Sequence, residues 1–347
     1  MNRNREYIRH FSSQLSTDTI APMSEDITPE TVQLPEAELG IAPVSKPVIG
    51  RIVSNDSCLK GKSASFVRHT EIDISGTPLE GRCLVGQAFG ILAPGVDERG
   101  KPHKVRLYSI ACPSGGEDGA GKVISTTTKR TIDERTPQKK TDDPDDHSLF
   151  LGVCSNYLCN LRPGDEVKVT GPNGKRFLLP TASSDHDFLF VATGTGIAPF
   201  RGMAMELLER GSTASQIHLL MGTPYTTDLI YDELFTELAA KHENFHYHTA
   251  ISRETRHNGQ PGQYVHHLLE EQIDTFGPLL SNPRTLLYIC GLAGMQSGLF
   301  QIMAQHNIGD NYFTLKDQLA DIAPSDWDLS QVRRGVKTTK RCMVEVY

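Results

Sequence analysis

The chain has 347 residues, more than a single hydrophobic core usually organises, since cores stop growing at ~250–300 residues, so two domains are expected. Hydrophobic residues make up 38% and charged residues 22%, a globular composition, and no apolar run approaches the ~18 residues of a membrane span. The net charge of −7 argues against wholesale nucleic-acid binding, and seven scattered cysteines, an odd number, do not make a disulfide framework.

Residues 1–45 are rich in Ser, Thr, Pro and Glu without periodicity and read as a disordered leader. Residues 1–15 lack a secretory apolar region. Arg3, Arg5 and Arg9 would suit an organellar transit peptide, but Asp18, Glu25 and Asp26 follow at once. The expected compartment is therefore the cytoplasm, with the plastid stroma as the alternative. From residue 48 the texture becomes short apolar alternations over 48–53, 64–74, 87–92, 105–110, 123–128 and 165–170, punctuated by turn residues. That pattern predicts an all-β barrel or sandwich. Within it, 133–147 is highly charged and contains Pro137 and Pro144, as a surface loop would.

After Pro180 strands at 187–192, 216–221, 246–251 and 285–290 alternate with helical stretches at 199–208, 229–240, 264–272 and 295–305. Strand–helix alternation predicts a doubly wound parallel sheet. The division falls near residue 180, with the β domain first. Cys154 and Cys159 lack a second matching pair, so no metal site is expected.

Six places combine residues suited to a nucleotide cofactor. Arg106, Leu107, Tyr108 and Ser109 end a predicted strand, whose alternation puts Arg106 and Tyr108 on one face. A guanidinium there can fork onto a pyrophosphate and an aromatic ring can pack on a flavin. Val153, Cys154 and Ser155 open a short helix, with Ser155 at the expected N-cap and backbone N–H groups free for a phosphate. Thr193-Gly194-Thr195-Gly196 links a strand to a helix, where glycines allow close backbone approach to a pyrophosphate. Ser252 and Arg253, with Tyr264 beyond them, follow a strand at the edge where doubly wound folds read an adenosine ribose. A guanidinium suits a 2′-phosphate. Cys290, Gly291 and Leu292 close another strand, and a small thiol there can lie beside a flat nicotinamide. The chain ends on Glu345, Val346 and Tyr347, whose ring could stack on an aromatic cofactor. Each place alone has an ordinary structural explanation, from half-exposed strand to frayed terminus.

Their order and spacing are more informative. From about Lys46 to Tyr347 the chain closely resembles the plant-type ferredoxin–NADP reductase family, through blocks at 100–111, 152–158, 193–201, 252–254, 290–292 and 344–347. The resemblance implies an FAD-binding antiparallel β barrel over 46–180 and an NADP-binding α/β domain over 181–347. Hydride would pass between NADPH and the flavin N5, and single electrons between the flavin and ferredoxin or flavodoxin. It implies that Arg106, Leu107, Tyr108 and Ser109 contact the flavin, with Val153, Cys154 and Ser155 as a second contact. Lys129, Thr193, Gly291 and Leu292 would meet the nicotinamide nucleotide, and Ser252, Arg253 and Tyr264 its 2′-phosphate. Ser109, Cys290, Glu345 and Tyr347 form the implied catalytic set, Tyr347 covering the isoalloxazine. An acidic carrier calls for a local basic surface, for which Lys101, Lys104 and the segment 331–341, with five basic residues, are candidates. An oxygenase reductase component with a dedicated acceptor, possibly using NADH, is the alternative.

The chain also departs from the family pattern. Gly262 stands where a basic residue is usual, His266 replaces a glutamine, Asp133 replaces an aromatic residue and Ala293 a basic one. Arg256 or His257 could assist Arg253. About fifteen extra residues lie around 311–325.

Overall fold

The computed structural model describes residues 32–134, 143, 145, 147–209 and 215–347. The first half supplies β1 (Val48–Ser57), β2 (Val67–Asp73), β3 (Ala88–Leu92), β4 (Arg106–Ser109), β5 (Val123–Lys129), the short pair β6 (Ile132–Glu134) and β7 (Leu149–Leu151), and β8 (Glu166–Asn173). Six of these form one antiparallel sheet in the order β4-β3-β8-β1-β2-β5. The two outer strands meet where Ile110, just past β4, bridges Thr126 of β5, and the sheet closes into a barrel. At that seam the Thr126 hydroxyl donates to the Ser109 carbonyl at 2.8 Å. Alternation sends Ile52, Ile72, Phe89, Ile91, Ile124, Val167 and Val169 inward.

The second half supplies β9 (Asp187–Thr193), β10 (Ile217–Thr223), β11 (Phe245–Ile251), β12 (Thr285–Gly291), β13 (Phe313–Leu315), β14 (Val336–Thr338) and β15 (Cys342–Val346). Five strands run parallel in the order β11-β10-β9-β12-β15. The central strands β9, β10 and β12 are almost wholly buried because both faces are covered. Phe188, Phe190, Leu219 and Tyr288 pack on one side with the helices Ile197–Glu209 and Asp232–Lys241. Leu189, Val191, Leu287 and Ile289 pack on the other with Val265–Glu271, Ile273–Ser281 and Ala293–Gln305. This is the doubly wound sheet that the alternation of elements predicts. Strand order reverses between β9 and β12, and in such sheets ligands bind outside the carboxyl ends of the strands at that reversal.

Three regions differ from the sequence reading. Of the leader expected over 1–45, residues 32–45 are packed rather than loose: Val32 is buried, Ala42 bridges Gly171, and Gln33 accepts the Thr181 N–H at 2.9 Å. Residues 1–31 lie outside the described residues, as does most of the charged stretch 133–147, whose first two residues, Asp133 and Glu134, belong to β6. The extra segment near 311–325 is folded. β13 pairs with β14, Trp327 is buried with its indole N–H on the Ile322 carbonyl at 3.0 Å, and Asp328 closes a capping box with Gln331.

The two halves are locked by a buried polar cluster. Arg201, on the helix Ile197–Glu209, pairs with Glu117 of the barrel at 2.6 and 3.2 Å and donates to the Ala111 carbonyl at 2.9 Å. Tyr231 places its hydroxyl 2.7 Å from His69 Nδ1 and 2.6 Å from the Thr127 hydroxyl. Burial would raise the Glu117 pKa, but the Arg201 guanidinium and His69 hold it well below the usual carboxylate range. His69, Glu71 and Glu117 bring possible ligand atoms within 4.8 Å of one another, yet the guanidinium already supplies the positive charge a cation would bring. Gly202 is required here, since a Cβ would sit 2.3 Å from the Cys112 carbonyl oxygen.

Candidate active site

The carboxyl ends of β9, β12 and β15 converge on one small region. The Thr193 hydroxyl accepts the Leu292 N–H at 2.9 Å, tying the end of β9 to the residue after β12. Gly196 lies so close to β12 that a Cβ would meet the Cys290 carbonyl oxygen at 2.1 Å. Gly291 has φ 139°, a backbone conformation that favours glycine, and an added Cβ there would meet Thr193 Oγ1 at 2.3 Å. The helix Ile197–Glu209 starts directly after this turn, so the positive end of its dipole lies at the same space.

β15 completes the region. Its register sets Glu345 beside Cys290 and Val346 beside Gly291, and the Tyr347 N–H donates to the Gly291 carbonyl at 3.0 Å. Cys290 is buried, and burial first, then the neighbouring Glu345, pushes its thiol well above the usual range. It stays neutral and offers a small polarisable wall. Burial pushes the half-buried Glu345 carboxyl up to about 7, so it can hold or release a proton near neutral pH. Tyr347 as a whole residue is 64% exposed, although its backbone and its hydroxyl are both hydrogen-bonded. Its hydroxyl lies 2.7 Å from the Thr195 hydroxyl.

The barrel reaches the same region through the turn after β8. Gln87 accepts the Ile110 N–H at 2.9 Å and donates to the Gly174 carbonyl at 3.0 Å. A Cβ on Gly174 would lie 3.9 Å from Glu345 Oε1. Ser109 lies opposite Ala88 in the β3–β4 pair, and Ala88 lies opposite Asn173, the residue before the Gly174 turn that approaches Glu345.

Around β4 the expected flavin residues divide by exposure. Arg106 and Leu107 are exposed, and Tyr108 and Ser109 are half-buried. Burial, then Cys154, raises the Tyr108 phenol, and the Arg106 guanidinium is near enough to oppose that rise. The helix beside them runs Val153–Asn160 with Gly152 as its N-cap, so Ser155 is not the cap that the sequence suggests. A Cβ at Gly152 would meet Ser155 Oγ at 2.7 Å and Thr131 Cβ at 2.8 Å, and only glycine lets the chain turn here. Ser155 instead accepts the Thr131 N–H at 3.2 Å and fastens β6 to the helix start. Cys154 points into the barrel core, its sulfur 3.7 Å from the Ile91 carbonyl, whereas Val153 is exposed. What this helix start offers a phosphate is backbone N–H groups rather than the thiol. Lys129 ends β5 with an exposed side chain.

At the end of β11, the Ser252 and Arg253 N–H groups donate to the Thr223 and Pro224 carbonyls, both at 2.9 Å. The Arg253 side chain is exposed. Tyr264, 60% exposed, stacks on His266 with centroids 5.6 Å apart and planes 4° from parallel. Burial, then His267, lowers the His266 pKa to about 4, so that ring is neutral. Gly262 has a packing reason, because a Cβ would meet the Ile251 and Ser252 carbonyl oxygens at 2.6 and 2.7 Å. Arg256 is committed elsewhere, to Gln263 at 2.9 Å and Glu271 at 2.7 Å.

The cleft thus offers an exposed guanidinium beside one helix start, a Gly-rich turn before another and an exposed terminal ring between, which fits a flavin dinucleotide facing a nicotinamide dinucleotide. Comparison with known proteins agrees. Residues 190–299 match the family described as "Oxidoreductase NAD-binding domain". The chain is 36% identical over 307 residues to the ferredoxin–NADP reductase of Picosynechococcus sp., covering 87% of this chain and 70% of that protein. It is 35% identical over 306 residues to the enzyme of that name from Spirulina sp., covering 87% and 95%.

The chain belongs to the ferredoxin–NADP reductase family.

The fold of this ferredoxin–NADP reductase family member is also that of the Plasmodium falciparum ferredoxin–NADP+ reductase, with a TM-score of 0.64 at 23% identity over 88% of this chain and 97% of that one. FAD and NADP(H) are its cofactors. No helix among the described residues is long and apolar enough to cross a membrane. Sequence reasoning missed Thr195 as a partner of Tyr347 and the whole Arg201–Glu117–His69–Tyr231 cluster. Thr195 lies inside a motif already singled out, but nothing in one dimension pairs it with residue 347.

Proposed function

We infer that this chain is an FAD-dependent oxidoreductase passing electrons between NADPH and ferredoxin, with FAD held by 46–180 and NADP(H) by 181–347. The observation that carries this reading is the meeting of Cys290, Glu345 and an exposed Tyr347 at the strand reversal of the parallel sheet. When bound, FAD would supply a hydride acceptor at N5 and single-electron exchange with a carrier protein. The chain's own residues bind, orient and exclude water. Arg106 and the N–H groups at the start of Val153–Asn160 hold the FAD pyrophosphate, while Tyr108 and Ser109 line the ring. Thr193, Gly291, Leu292 and Lys129 take the nicotinamide nucleotide, and Ser252, Arg253 and Tyr264 its 2′-phosphate. The neutral Cys290 thiol fills the space beside the reacting carbon without competing for hydride. Glu345, poised near neutral pH, and Ser109 exchange the proton that accompanies reduction. Tyr347 would cover the flavin and would have to move aside for nicotinamide to stack.

The carrier surface is narrower than the sequence suggests. Arg341 is buried and donates to the Asn282 and Thr285 carbonyls at 2.7 and 2.9 Å, and Arg334 bonds Ser330. Lys101, Lys104, Arg333, Lys337 and Lys340 are exposed and form our proposed basic patch for an acidic ferredoxin, with flavodoxin as a second acceptor. An oxygenase reductase component is not favoured, because the relatives above are ferredoxin–NADP reductases. The test is a visible spectrum of the purified protein, anaerobic titration with NADPH, then ferredoxin reduction. A preparation colourless even after incubation with FAD would sink the proposal. So would a strong preference for NADH.

A further inference from the structure

The Tyr347 hydroxyl does not point into open solvent. It sits 2.7 Å from the Thr195 hydroxyl, in the middle of the Gly194–Gly196 turn between β9 and the helix Ile197–Glu209. The Gly196 N–H also approaches that oxygen, and both contacts work against the rise in the phenol pKa that burial causes. The rest of residue 347 is fixed by its own N–H on the Gly291 carbonyl at 3.0 Å and by its carbonyl, which accepts the Ala293 N–H at 3.4 Å. The last residue therefore spans the reversal point, and its ring hydroxyl shares a hydrogen bond with the Thr195 hydroxyl, either oxygen being able to donate, in the turn that lies at a helix start. A turn hydroxyl and a backbone N–H facing one oxygen at a helix N-terminus are the donors a phosphate oxygen would use.

We propose that Thr195 and Tyr347 form a latch in which the phenol oxygen occupies donors of the nucleotide's pyrophosphate site, so that phosphate arrival and ring departure are one exchange. Rather than waiting for nicotinamide to push the ring aside, the incoming nucleotide loosens it from the far end of its own molecule. A Thr hydroxyl has a single proton to donate, so it serves the ring or the phosphate but not both. The latch then lowers the apparent affinity for any ligand that carries a pyrophosphate, with or without a nicotinamide. It leaves untouched a ligand that carries only the adenosine 2′-phosphate end. This inference rests on the reading above that Tyr347 covers the flavin, and the test separates the two.

The test uses the oxidised holoenzyme and three ligands: NADP+, 2′-phospho-ADP-ribose, which has the pyrophosphate and no nicotinamide, and adenosine 2′-monophosphate, which has no 5′-phosphate and no nicotinamide. Tyr347→Phe removes only the hydroxyl. Calorimetric titration is expected to give about two- to tenfold tighter binding of the first two ligands, the worth of one neutral hydrogen bond, and unchanged binding of the third. Thr195→Ser, which keeps the hydroxyl, is expected to match the wild type for all three. Equal affinities of the Tyr347→Phe and wild-type proteins for 2′-phospho-ADP-ribose would overturn the latch, as would an equal gain for all three ligands. Tyr347→Ala tests the underlying reading through the flavin absorbance change that NADP+ induces on stacking. If that change grows in Tyr347→Ala while Tyr347→Phe binds like the wild type, the ring covers the flavin and only the latch is wrong. If it does not grow, the placement of the ring fails and the latch falls with it.

Discussion

Replacing Arg201 by methionine removes the cation at the centre of the interdomain cluster while keeping most of the side-chain volume. Glu117 would lose its contacts at 2.6 and 3.2 Å and keep the Ser125 hydroxyl at 2.5 Å and His69 Nε2 at 3.3 Å. Glu117 is 6% exposed, so the bared carboxylate has little water to turn to. Breaking a buried pair from one side typically costs about 3–5 kcal/mol, because the remaining charge is desolvated without compensation. The loss of the hydrogen bond to the Ala111 carbonyl adds to this, and the surviving Glu117 partners subtract. At about 2 °C per kcal/mol for a chain of this size, the melting temperature is expected to fall by about 6–10 °C. The assay is thermal unfolding of the FAD-loaded protein, for Arg201→Met, Glu117→Gln and the double variant. If the argument holds, Glu117→Gln in the Arg201→Met background restores part of the loss, since it removes the stranded charge. A double variant no more stable than Arg201→Met would refute the stranded charge as the cause. A melting temperature within about 1 °C of wild type in Arg201→Met would refute the pair as an interdomain lock.

Tyr347→Ser is expected to raise turnover with NADH, because clearing the ring frees the stacking site without needing the 2′-phosphate anchor; steady-state kinetics with both nicotinamides decide it, and unchanged NADH turnover would mean that Tyr347 does not cover the flavin. Arg253→Ala should weaken NADPH binding by about one to two decades, the value of a charge-assisted hydrogen bond at ~1.5–3 kcal/mol, and leave NADH nearly unchanged. Arg256→Ala should change the NADPH KM much less, since that guanidinium is held by Gln263 and Glu271. Burial raises the Glu345 carboxyl from 4.5 to about 7, so the folded apoprotein holds a proton that the unfolded chain releases. The resulting stabilisation is full below about pH 4.5 and is lost as pH rises through about 7. It amounts to on the order of 3 kcal/mol at about 1.36 kcal/mol per unit. Chemical denaturation of the wild-type and Glu345→Gln apoproteins across that range should show this slope only in the wild type, and parallel curves would count against a raised carboxyl.

The strands of both sheets were largely legible because each carries a strong local signal, alternation in barrel strands such as Val48–Ser57 and apolar runs such as the FLFVA of β9 in the parallel sheet. The Gly-rich turn before Ile197–Glu209 was legible for the same reason, since its glycines answer to a local close approach. The cap of Val153–Asn160 was misread because Ser155 has the chemistry of a cap, while Gly152 has the room for the turn. Arg341 looked like part of a basic stretch because a linear count of charges carries no depth, and it proved to be buried under Tyr312.

The amino-acid order by itself determined two domains, their classes, and which short blocks are candidates for cofactor chemistry, because those properties depend on residues within a few positions of one another. Only the tertiary structure decided that the last residue returns to the turn at 194–196 and that a cation on one domain neutralises a carboxylate on the other. The burial that raises Glu345, and the Arg201 and His69 contacts that outweigh burial at Glu117, also act only once distant segments surround those groups. Desolvation and pairing across 152 and 84 positions of chain are properties of the closed fold, and no local pattern encodes them.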